Sequence, residues 1–448
     1  MMKKLLFLTI CLLLIVTVGA NAQWKFVKYF PADTVKYPFN KWSGGVNGGL
    51  AVDKEGKIWI QSYGGAVDSI LNASGKYQAC GAINVFYPNG TPASFSPIKV
   101  LTGKDLTGAT VTDTLGGSGY GMAMDPSTGN MLSTKTSTRL WKIDYKTGKG
   151  ILRVISPIPG YTSSFGQVAV DNFGEIFIGP VVPPAAVAIL NSDFTASGTV
   201  LTATSAYQRT IAVSSDGNDV YVPGYTALKT WVYHSDNGSL GPYVLKDSIG
   251  VGLCTETMIW HPKTGDLWMG SGSTGGGVPN GPYVAYRWYD YSFKTKKIVD
   301  SIVWAGDVSN DPRPRGIAFN ANGDTAYVAA FGGNSGWYGG FVQVFAKSGA
   351  TSVEQDKNVI PTGYTLSQNY PNPFNPSTQI RFTITQTGMT SLKVYDVMGR
   401  EVATLVDESM SPGAYTVKFD ASHLSSGTYM YVLTSGSARL TNKMMLVK

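Results

Sequence analysis

The chain has 448 residues, which is long enough for two or three domains. Charged residues make up only 15% of it, against roughly 25% in average proteins, whereas Gly and aromatic residues are frequent. The formal charge is +7 and no long basic run is present, so a nucleic-acid partner is not expected. This composition is typical of a β-rich extracellular protein with many tight turns.

The N-terminal 22 residues have the pattern of a signal peptide. Lys3 and Lys4 precede the apolar stretch 5–18, and the small-x-small tripeptide 20–22 follows it. The apolar stretch is short for a membrane span, which favours cleavage before Gln23 over an uncleaved anchor. We therefore expect export through the periplasm.

A hairpin pattern recurs six times between residues 23 and 350. Each copy has a short apolar strand, a polar turn that contains Gly, and a second apolar strand. The copies are GLAVDKEGKIWI from Gly49, GMAMDPSTGNML from Gly121, QVAVDNFGEIFI from Gln167, TIAVSSDGNDVYV from Thr210, TMIWHPKTGDLWM from Thr257 and GIAFNANGDTAYV from Gly316. The turn glycines are Gly56, Gly129, Gly174, Gly217, Gly265 and Gly323.

The hairpins and the apolar segments after them form units of about four strands and about 45 residues, the period of a β-propeller blade. Six hairpins predict an all-β chain with a six-bladed propeller; an array of β-sandwiches is the alternative. The long interval from Gly56 to Gly129 is either a degenerate blade or a blade with an inserted loop, and residues 83–87, as a third strand, favour the loop. We expect residues 24–30 to pair with the last blade, which would leave no open edge.

The hairpins resemble those of NHL-type and gluconolactonase-like propellers over residues 24–350. The resemblance implies a fold rather than a function. In the gluconolactonase-like family, a metal-binding Asn precedes the GIAF-like strand and a metal-binding Asp follows YV-x. Arg315 and Ala330 stand at those positions, which counts against a metal-dependent lactonase of that type; no metal site is predicted, no nucleotide motif is found, and the cofactor stays unknown.

The character of the chain changes after residue 350: residues 351–363 are predicted to be a linker, and residues 364–448 a second domain. Its start, the sequence NYPNPFNP at residues 369–376, excludes a helix or a central strand because it contains three prolines. Alternating segments then predict a small antiparallel β-sandwich of fibronectin or immunoglobulin type. These segments are 379–384, 391–395, 401–405, 415–419, 429–433 and 443–447.

The second domain resembles the type A sorting domain of type IX secretion cargo. The resemblance rests on YPNPFNPSTQIRF, LKVYDVMGREV, GAYTVKFDASHLSSGTYMYVL and KMMLVK, which occur in that order. It implies passage through an outer-membrane translocon, contact with the sortase of that system, and a secreted or cell-surface product. An ordinary fibronectin-like module is the alternative, but it would need neither the proline-rich entry nor the Lys-ended tail.

In a propeller, the innermost strands begin around one mouth of the central channel. The residues just before these strands are Gly48, Tyr120, Gly166, Arg209, Glu256 and Arg315. Tyr120, Arg209, Glu256 and Arg315 are therefore the candidate ligand site, where two guanidinium groups would favour a carboxylate, sulfate or phosphate. The alternative is that Arg209 and Glu256 only pair with each other across neighbouring blades.

Four aromatic residues, Tyr63, Tyr225, Phe331 and Trp337, are predicted on loops of the same face. There they would stack on sugar rings or peptide side chains, or else pack beneath their own loops.

Two further sets of side chains are predicted to have a structural role and not a role in binding. Asp53, Asp125 and Asp171 begin three of the hairpin turns, where Asp caps the turn. Cys80 and Cys254 remain after cleavage and are either a disulfide or two buried thiols.

We predict a monomeric surface or secreted module that binds a glycan, a peptide or an anionic ligand at the channel face. An extracellular hydrolase or lyase, lactonase-like or carbohydrate-active, is the alternative. The sequence contains no nucleophile elbow, Walker loop or dinucleotide fingerprint, so the choice between binding and catalysis stays open.

Overall fold

Strands make up nearly all of the regular structure. A computed structural model of the protein describes residues 24–31, 46–62, 68–71, 74–116, 120–134, 138–159, 161, 163–272, 278–306, 308, 312–332, 342–347, 353–356, 361–421 and 424–448. The predicted signal peptide lies outside these residues. Within them, the single helix is the 3-10 turn Gly238–Leu240, and no helix is long and apolar enough to cross a membrane.

The strands before residue 350 are β1 Trp24–Phe30, β2 Val46–Val52, β3 Ile58–Ser62, β4 Asp68–Leu71, β5 Tyr77–Cys80, β6 Ile83–Phe86, β7 Val100–Asp105, β8 Thr110–Thr114, β9 Met122–Met124, β10 Met131–Ser133, β11 Leu140–Ile143, β12 Gly150–Val154, β13 Phe165–Val170, β14 Ile176–Pro180, β15 Val187–Leu190, β16 Ala196–Leu201, β17 Ala212–Val213, β18 Asp219–Gly224, β19 Lys229–His234, β20 Val244–Ile249, β21 Thr255–Trp260, β22 Leu267–Ser271, β23 Arg287–Ser292, β24 Lys297–Val303, β25 Pro312–Phe319, β26 Thr325–Gly332 and β27 Val342–Lys347. The later strands are β28 Val353–Asp356, β29 Thr365–Leu366, β30 Ser377–Ile384, β31 Gly388–Tyr395, β32 Glu401–Met410, β33 Gly413–Asp420, β34 Gly427–Ser435 and β35 Ala438–Leu446.

Strands β1–β27 form six small sheets, here named S1 to S6, and a separate hairpin β4-β5. The sheets are S1 (β2-β3-β6), S2 (β9-β10-β11-β12-β7-β8), S3 (β13-β14-β15-β16), S4 (β17-β18-β19-β20), S5 (β21-β22-β23-β24) and S6 (β25-β26-β27-β1). The first two strands of each sheet are one of the six hairpins that the sequence predicts, and all six pair antiparallel.

The hairpin turns explain why the pattern recurs. All six turn glycines have a positive φ, for example 82° at Gly56 and 87° at Gly174, a region that other residues rarely adopt. In the first turn, Asp53 Oδ1 accepts hydrogen bonds from the backbone N–H groups of Glu55 and Lys57, both at 2.9 Å. Asp125 and Asp171 bond to their turns in the same way, which confirms the structural role predicted for the three carboxylates.

The first strands of S1 to S6 lie side by side in chain order, and β25 of S6 also contacts β2 of S1. A buried apolar cluster lies between each consecutive pair of sheets, including S6 and S1. Each of the six sheets therefore packs against two neighbours, and the last sheet, S6, packs against the first, S1.

The N-terminal strand belongs to the last sheet. As predicted, β1 pairs antiparallel with β27, with Trp24 opposite Lys347 and Phe30 opposite Val342. The side chain of Trp24 packs edge-on against Trp268 of S5 at a centroid distance of 5.7 Å. Main-chain pairing between the two ends of this region thus covers the outer edge of β27.

The long first interval is an insertion, as the sequence favours. β6 pairs with β3 as the third strand of S1, and the inserted β7-β8 hairpin joins S2 through a parallel pairing of β7 with β12. Asp113 of β8 fastens the hairpin, because its buried carboxylate accepts hydrogen bonds from Arg139 (2.7 Å), Arg153 (3.0 Å) and the indole of Trp141 (3.0 Å).

The C-terminal region consists of two four-stranded sheets, β28-β33-β30-β29 and β32-β31-β34-β35. The strands include five of the six segments predicted from the alternating pattern in full, and the sixth, 443–447, except for its last residue. Apolar residues of both sheets, such as Phe382 and Leu392, share one buried core.

The structure tests two expectations, one about the predicted linker and one about the two cysteines. Part of the predicted linker is a strand, because Val353–Asp356 pairs with β33; its sequence VEQD has no apolar alternation, so only backbone hydrogen bonds reveal it. Cys80 and Cys254 are both buried and form no disulfide, so the alternative of two buried thiols holds.

Candidate functional site

The predicted mouth residues lie in or shortly before the first strands of four sheets. Tyr120 is half-buried just before β9, and Arg209 is half-buried shortly before β17. Glu256 is the second residue of β21, and Arg315 lies within β25. Contacts described below connect Arg209, Glu256 and Arg315, whereas Tyr120 stands two sheets away in S2.

Glu256 and Arg315 form a buried ion pair between S5 and S6. Arg315 Nη1 lies 2.8 Å from Glu256 Oε2, and the two side chains are 5% and 0% exposed. Burial lowers the pKa of Arg315, while the charge of Glu256 opposes this effect. Gly272 makes room for the carboxylate, since a Cβ at that position would stand 2.6 Å from Glu256 Oε1.

Arg209 does not pair with Glu256, which was the alternative considered from the sequence. The partner of Glu256 is Arg315, and among the residues that the structure describes Arg209 has no ion-pair partner. Its guanidinium lies over the ring of Tyr225, with 5.6 Å between Cζ and the ring centroid, and its Nε has no described hydrogen-bond partner. The positive charge of Arg209 is close enough to lower the pKa of Arg315.

The aromatic residues support the two guanidinium groups. Tyr225 is 1% exposed, so its ring packs beneath Arg209 and offers no open stacking surface. Phe331 lies within β26 and not in a loop, and its ring centroid is 5.6 Å from Arg315 Cζ. Cation–π contacts of this kind hold a guanidinium in place. Tyr63 and Trp337 lie outside the described residues.

Cys254 is a neighbour of the site that the sequence interpretation missed. It lies just before β21, two residues from Glu256, and is close enough to feel the charge of that carboxylate. Burial and the nearby charge of Glu256 raise the pKa of the Cys254 thiol to about 12, and burial raises the pKa of Tyr225 too. Both groups are therefore neutral near pH 7, and the thiolate form of Cys254, which is the nucleophilic one, is disfavoured there.

Several buried polar atoms around the site lack hydrogen-bond partners among the described residues. They are Arg209 Nε, Arg315 Nε, Glu256 Oε1, the hydroxyl of Ser271, and both amide atoms of Gln208. Gln208 directly precedes Arg209, and Ser271 pairs in register with Thr255, the neighbour of Glu256. Because buried polar groups are normally paired, these atoms indicate a place where a ligand or water completes the hydrogen bonds.

The same end of the sheets carries polar bonds between neighbouring sheets. Thr210 donates to Gln167 Oε1 (2.7 Å), and the backbone N–H of Met258 donates to Thr210 (3.1 Å). Ser133 of S2 likewise donates to Gln61 of S1. The Glu256–Arg315 pair extends this series to S5 and S6, so it has a structural role as well as a place in the site.

A cavity of about 600 Å³ is bounded by the first strands of all six sheets. It reaches from Gln167 to the hairpin turns, including those at Asn172 and His261. Within the described part of the chain, no three His, Cys, Asp or Glu side chains are grouped as metal ligands would be.

Comparisons with known proteins concern the C-terminal region. Residues 368–448 match a protein family described as the secretion system C-terminal sorting domain. No curated protein matches the chain. The family match supports the assignment of the chain as an exported cargo protein of the type IX secretion system, and it implies contact with the machinery of that system.

Proposed function

We propose that the protein is an exported six-bladed β-propeller that binds an anionic ligand, such as an acidic glycan or an acidic peptide, at one mouth of its channel. The observation that carries this proposal is the state of Arg209: it has no acidic partner among the described residues, while Glu256 already neutralises Arg315. A carboxylate or sulfate on the ligand would supply the missing charge.

Three features support the propeller. Six hairpin-led sheets follow one another in sequence, and their first strands contact one another in a series that returns to S1. One cavity touches all six first strands. The pairing of β1 with β27 resembles the closure expected of a ring.

The anionic class follows from the charges. Arg209 and Arg315 together would give the mouth two positive charges, but Glu256 neutralises that of Arg315 and leaves that of Arg209 without an ion-pair partner among the described residues. The ring of Tyr225 contacts the Arg209 guanidinium through a cation–π interaction. This contact does not use the N–H groups of the guanidinium, which can still donate hydrogen bonds to a ligand. Glu256 Oε1 and the Gln208 amide would complete the site with acceptors and donors for hydroxyl or amide groups of the ligand.

The proposal is tested by calorimetric titration of the full chain with uronate-bearing and sulfated glycans, their neutral counterparts, and acidic peptides. We expect saturable binding of anionic compounds only, and Arg209→Gln should weaken it by about 10-fold or more. Arg381→Gln on an exposed position of β30 is the matched control and should leave it unchanged. Equal affinity for neutral compounds, or no effect of Arg209→Gln, would contradict the proposal.

A hydrolase or lyase at the same mouth is the second candidate, favoured by one observation: Glu256 Oε1 is a buried carboxylate oxygen without a described partner. Such an oxygen suits a general acid or base. Chromatography of the same titration mixtures distinguishes the two functions, because a product that disappears in Glu256→Gln would identify an enzyme.

We further propose the route to the surface. An N-terminal signal peptide would deliver the chain to the periplasm, and residues 364–448 would direct it through the translocon to the sortase. The product would be a monomer in the medium or on the cell surface, which light scattering after size-exclusion chromatography tests directly.

A further inference from the structure

The cavity between the first strands is a second potential site, separate from the arginine residues of the mouth. None of the residues around it is Arg209, Glu256 or Arg315. We propose that this cavity binds an uncharged, largely apolar small molecule.

The space exists because one position of the repeat is small. In five of the six first strands, the residue at this position is alanine, and in β21 it is Ile259. All of them line the cavity: Ala51, Ala123, Ala169, Ala212, Ile259 and Ala318. Larger side chains at the same level would fill the middle of the molecule, whereas the present ones leave about 600 Å³, within the range of small-molecule pockets.

The chemistry of the wall defines the class of ligand. Among the residues that the structure describes, neither Asp, Glu, Lys nor Arg lines the cavity, and the wall carries Met124, Val170 and other apolar side chains. A charged molecule would lose its hydration there without finding a counter-charge, which is strongly unfavourable. An apolar molecule would gain from the removal of its surface from water.

The side chains of Gln167, Trp260 and His261 in the wall already have partners in the protein. Gln167 Oε1 accepts from Thr210, and the Trp260 indole donates to the carbonyl of Val213 (2.7 Å). His261 Nε2 lies 2.8 Å from the carbonyl oxygen of Gly323, and its Nδ1 accepts from the backbone N–H groups that follow it. Burial lowers the pKa of His261, so the ring is neutral at pH 7. These groups therefore do not call for a polar ligand.

The test uses two fluorescent probes with related aromatic rings. N-phenyl-1-naphthylamine is neutral, and 1-anilinonaphthalene-8-sulfonate carries a sulfonate. With the full chain, we expect saturable binding of one neutral probe per chain and an affinity for the sulfonated probe that is lower by about 10-fold or more. Equal affinities, or no saturable binding of the neutral probe, would overturn the proposal.

Substitutions locate the binding. Val170→Phe and Met124→Phe each place a ring at the cavity wall, and each should weaken binding of the neutral probe by about 10-fold. Val303→Phe, on an outer strand where the side chain is 45% exposed, is the matched control and should have no effect. Wild-type affinity in a folded cavity variant would refute the assignment.

Two further measurements do not depend on the folding of the cavity variants, and they distinguish binding in the cavity from binding at the mouth. The neutral probe should raise the Tm of the wild-type chain, and the sulfonated probe should not. Arg209→Gln should leave the neutral probe bound as in the wild type, because Arg209 does not line the cavity. Loss of probe binding in Arg209→Gln would mean that the probe occupies the mouth, and the cavity proposal would fail.

Discussion

Glu256 and Arg315 show how a single contact serves both stability and a candidate site. Each side chain is almost completely buried, and the two carry opposite charges between adjacent sheets. A buried pair adds little over an apolar pair, but the loss of one partner leaves an uncompensated charge. The pair therefore holds S5 against S6 and keeps Arg315 unavailable to an anion.

Arg315→Met tests this role. The substitution leaves the Glu256 carboxylate buried without its cation, and we expect a loss of about 3–5 kcal/mol in the free energy of unfolding. Urea unfolding followed by tryptophan fluorescence measures it. The double variant Glu256→Gln, Arg315→Met removes both charges and should recover most of the loss; a double variant as unstable as the single one would contradict the explanation.

Asp290 provides a pH-dependent test. It is 3% exposed in β23, and burial raises its pKa to about 7. A carboxyl whose pKa is raised on folding stabilises the fold most below its unfolded pKa of 3.8, and this contribution is lost as the pH rises to about 7. From pH 4 to pH 8, Asp290→Asn should therefore gain about 2–4 kcal/mol of stability relative to the wild type. Denaturant titrations at several pH values measure the difference, and parallel pH profiles would contradict the prediction.

At the scale of the element, the hairpin turn is the unit from which the sheets are built. A glycine in the left-handed region closes each turn, and an Asp or a related residue accepts its N–H groups. The turns also make contacts between sheets, since His261 of S5 lies 2.8 Å from the carbonyl oxygen of Gly323 in S6.

Substitutions at two turn glycines distinguish the cost of backbone strain from the cost of a steric clash. Gly265 and Gly323 have similar φ values, 69° and 68°, but a Cβ at Gly265 meets nothing within 4 Å, whereas at Gly323 it would stand 2.4 Å from His261. Gly265→Ala should cost about 1–2 kcal/mol from the backbone alone. Gly323→Ala should cost more because it also displaces His261. Thermal unfolding of both variants measures this order, and equal Tm values would contradict it.

At the scale of the whole molecule, the C-terminal region has its own core, and residues 368–448 match the secretion system C-terminal sorting domain. Its two sheets share one apolar cluster, which the sheets S1 to S6 do not enter. The region that we propose to bind ligands and the region that directs export therefore have separate cores.

Deletion of residues 364–448 tests that division. We expect the remaining chain to keep the tryptophan fluorescence of folded S1 to S6 but to accumulate in the periplasm, because the sorting sequence is lost. Cell fractionation with immunodetection measures the distribution, and the full chain is the control. The deletion also removes β33, the pairing partner of β28, so no strand should remain at 353–356. Surface display of the truncated chain would contradict the export route.

Local sequence patterns are sufficient to predict the repeated units: the six hairpins, their turn glycines, the outer strand at Trp24–Phe30 and the sorting domain. Local periodicity and turn chemistry are set by neighbouring residues, so a short window of sequence is enough to read them. Residues 83–87 were recognised as a third strand for the same reason.

The pairing of charges between sheets, in contrast, becomes visible when the sheets are packed together. Arg209 and Arg315 are equivalent in the repeat, yet Glu256 pairs with Arg315, and Cys254 and Gln208 join the site without any local signal. Likewise, VEQD at 353–356 became a strand because β33 offered an open edge. Such contacts depend on differences of a few ångströms in how separate sheets pack, and no pattern within one repeat contains that information.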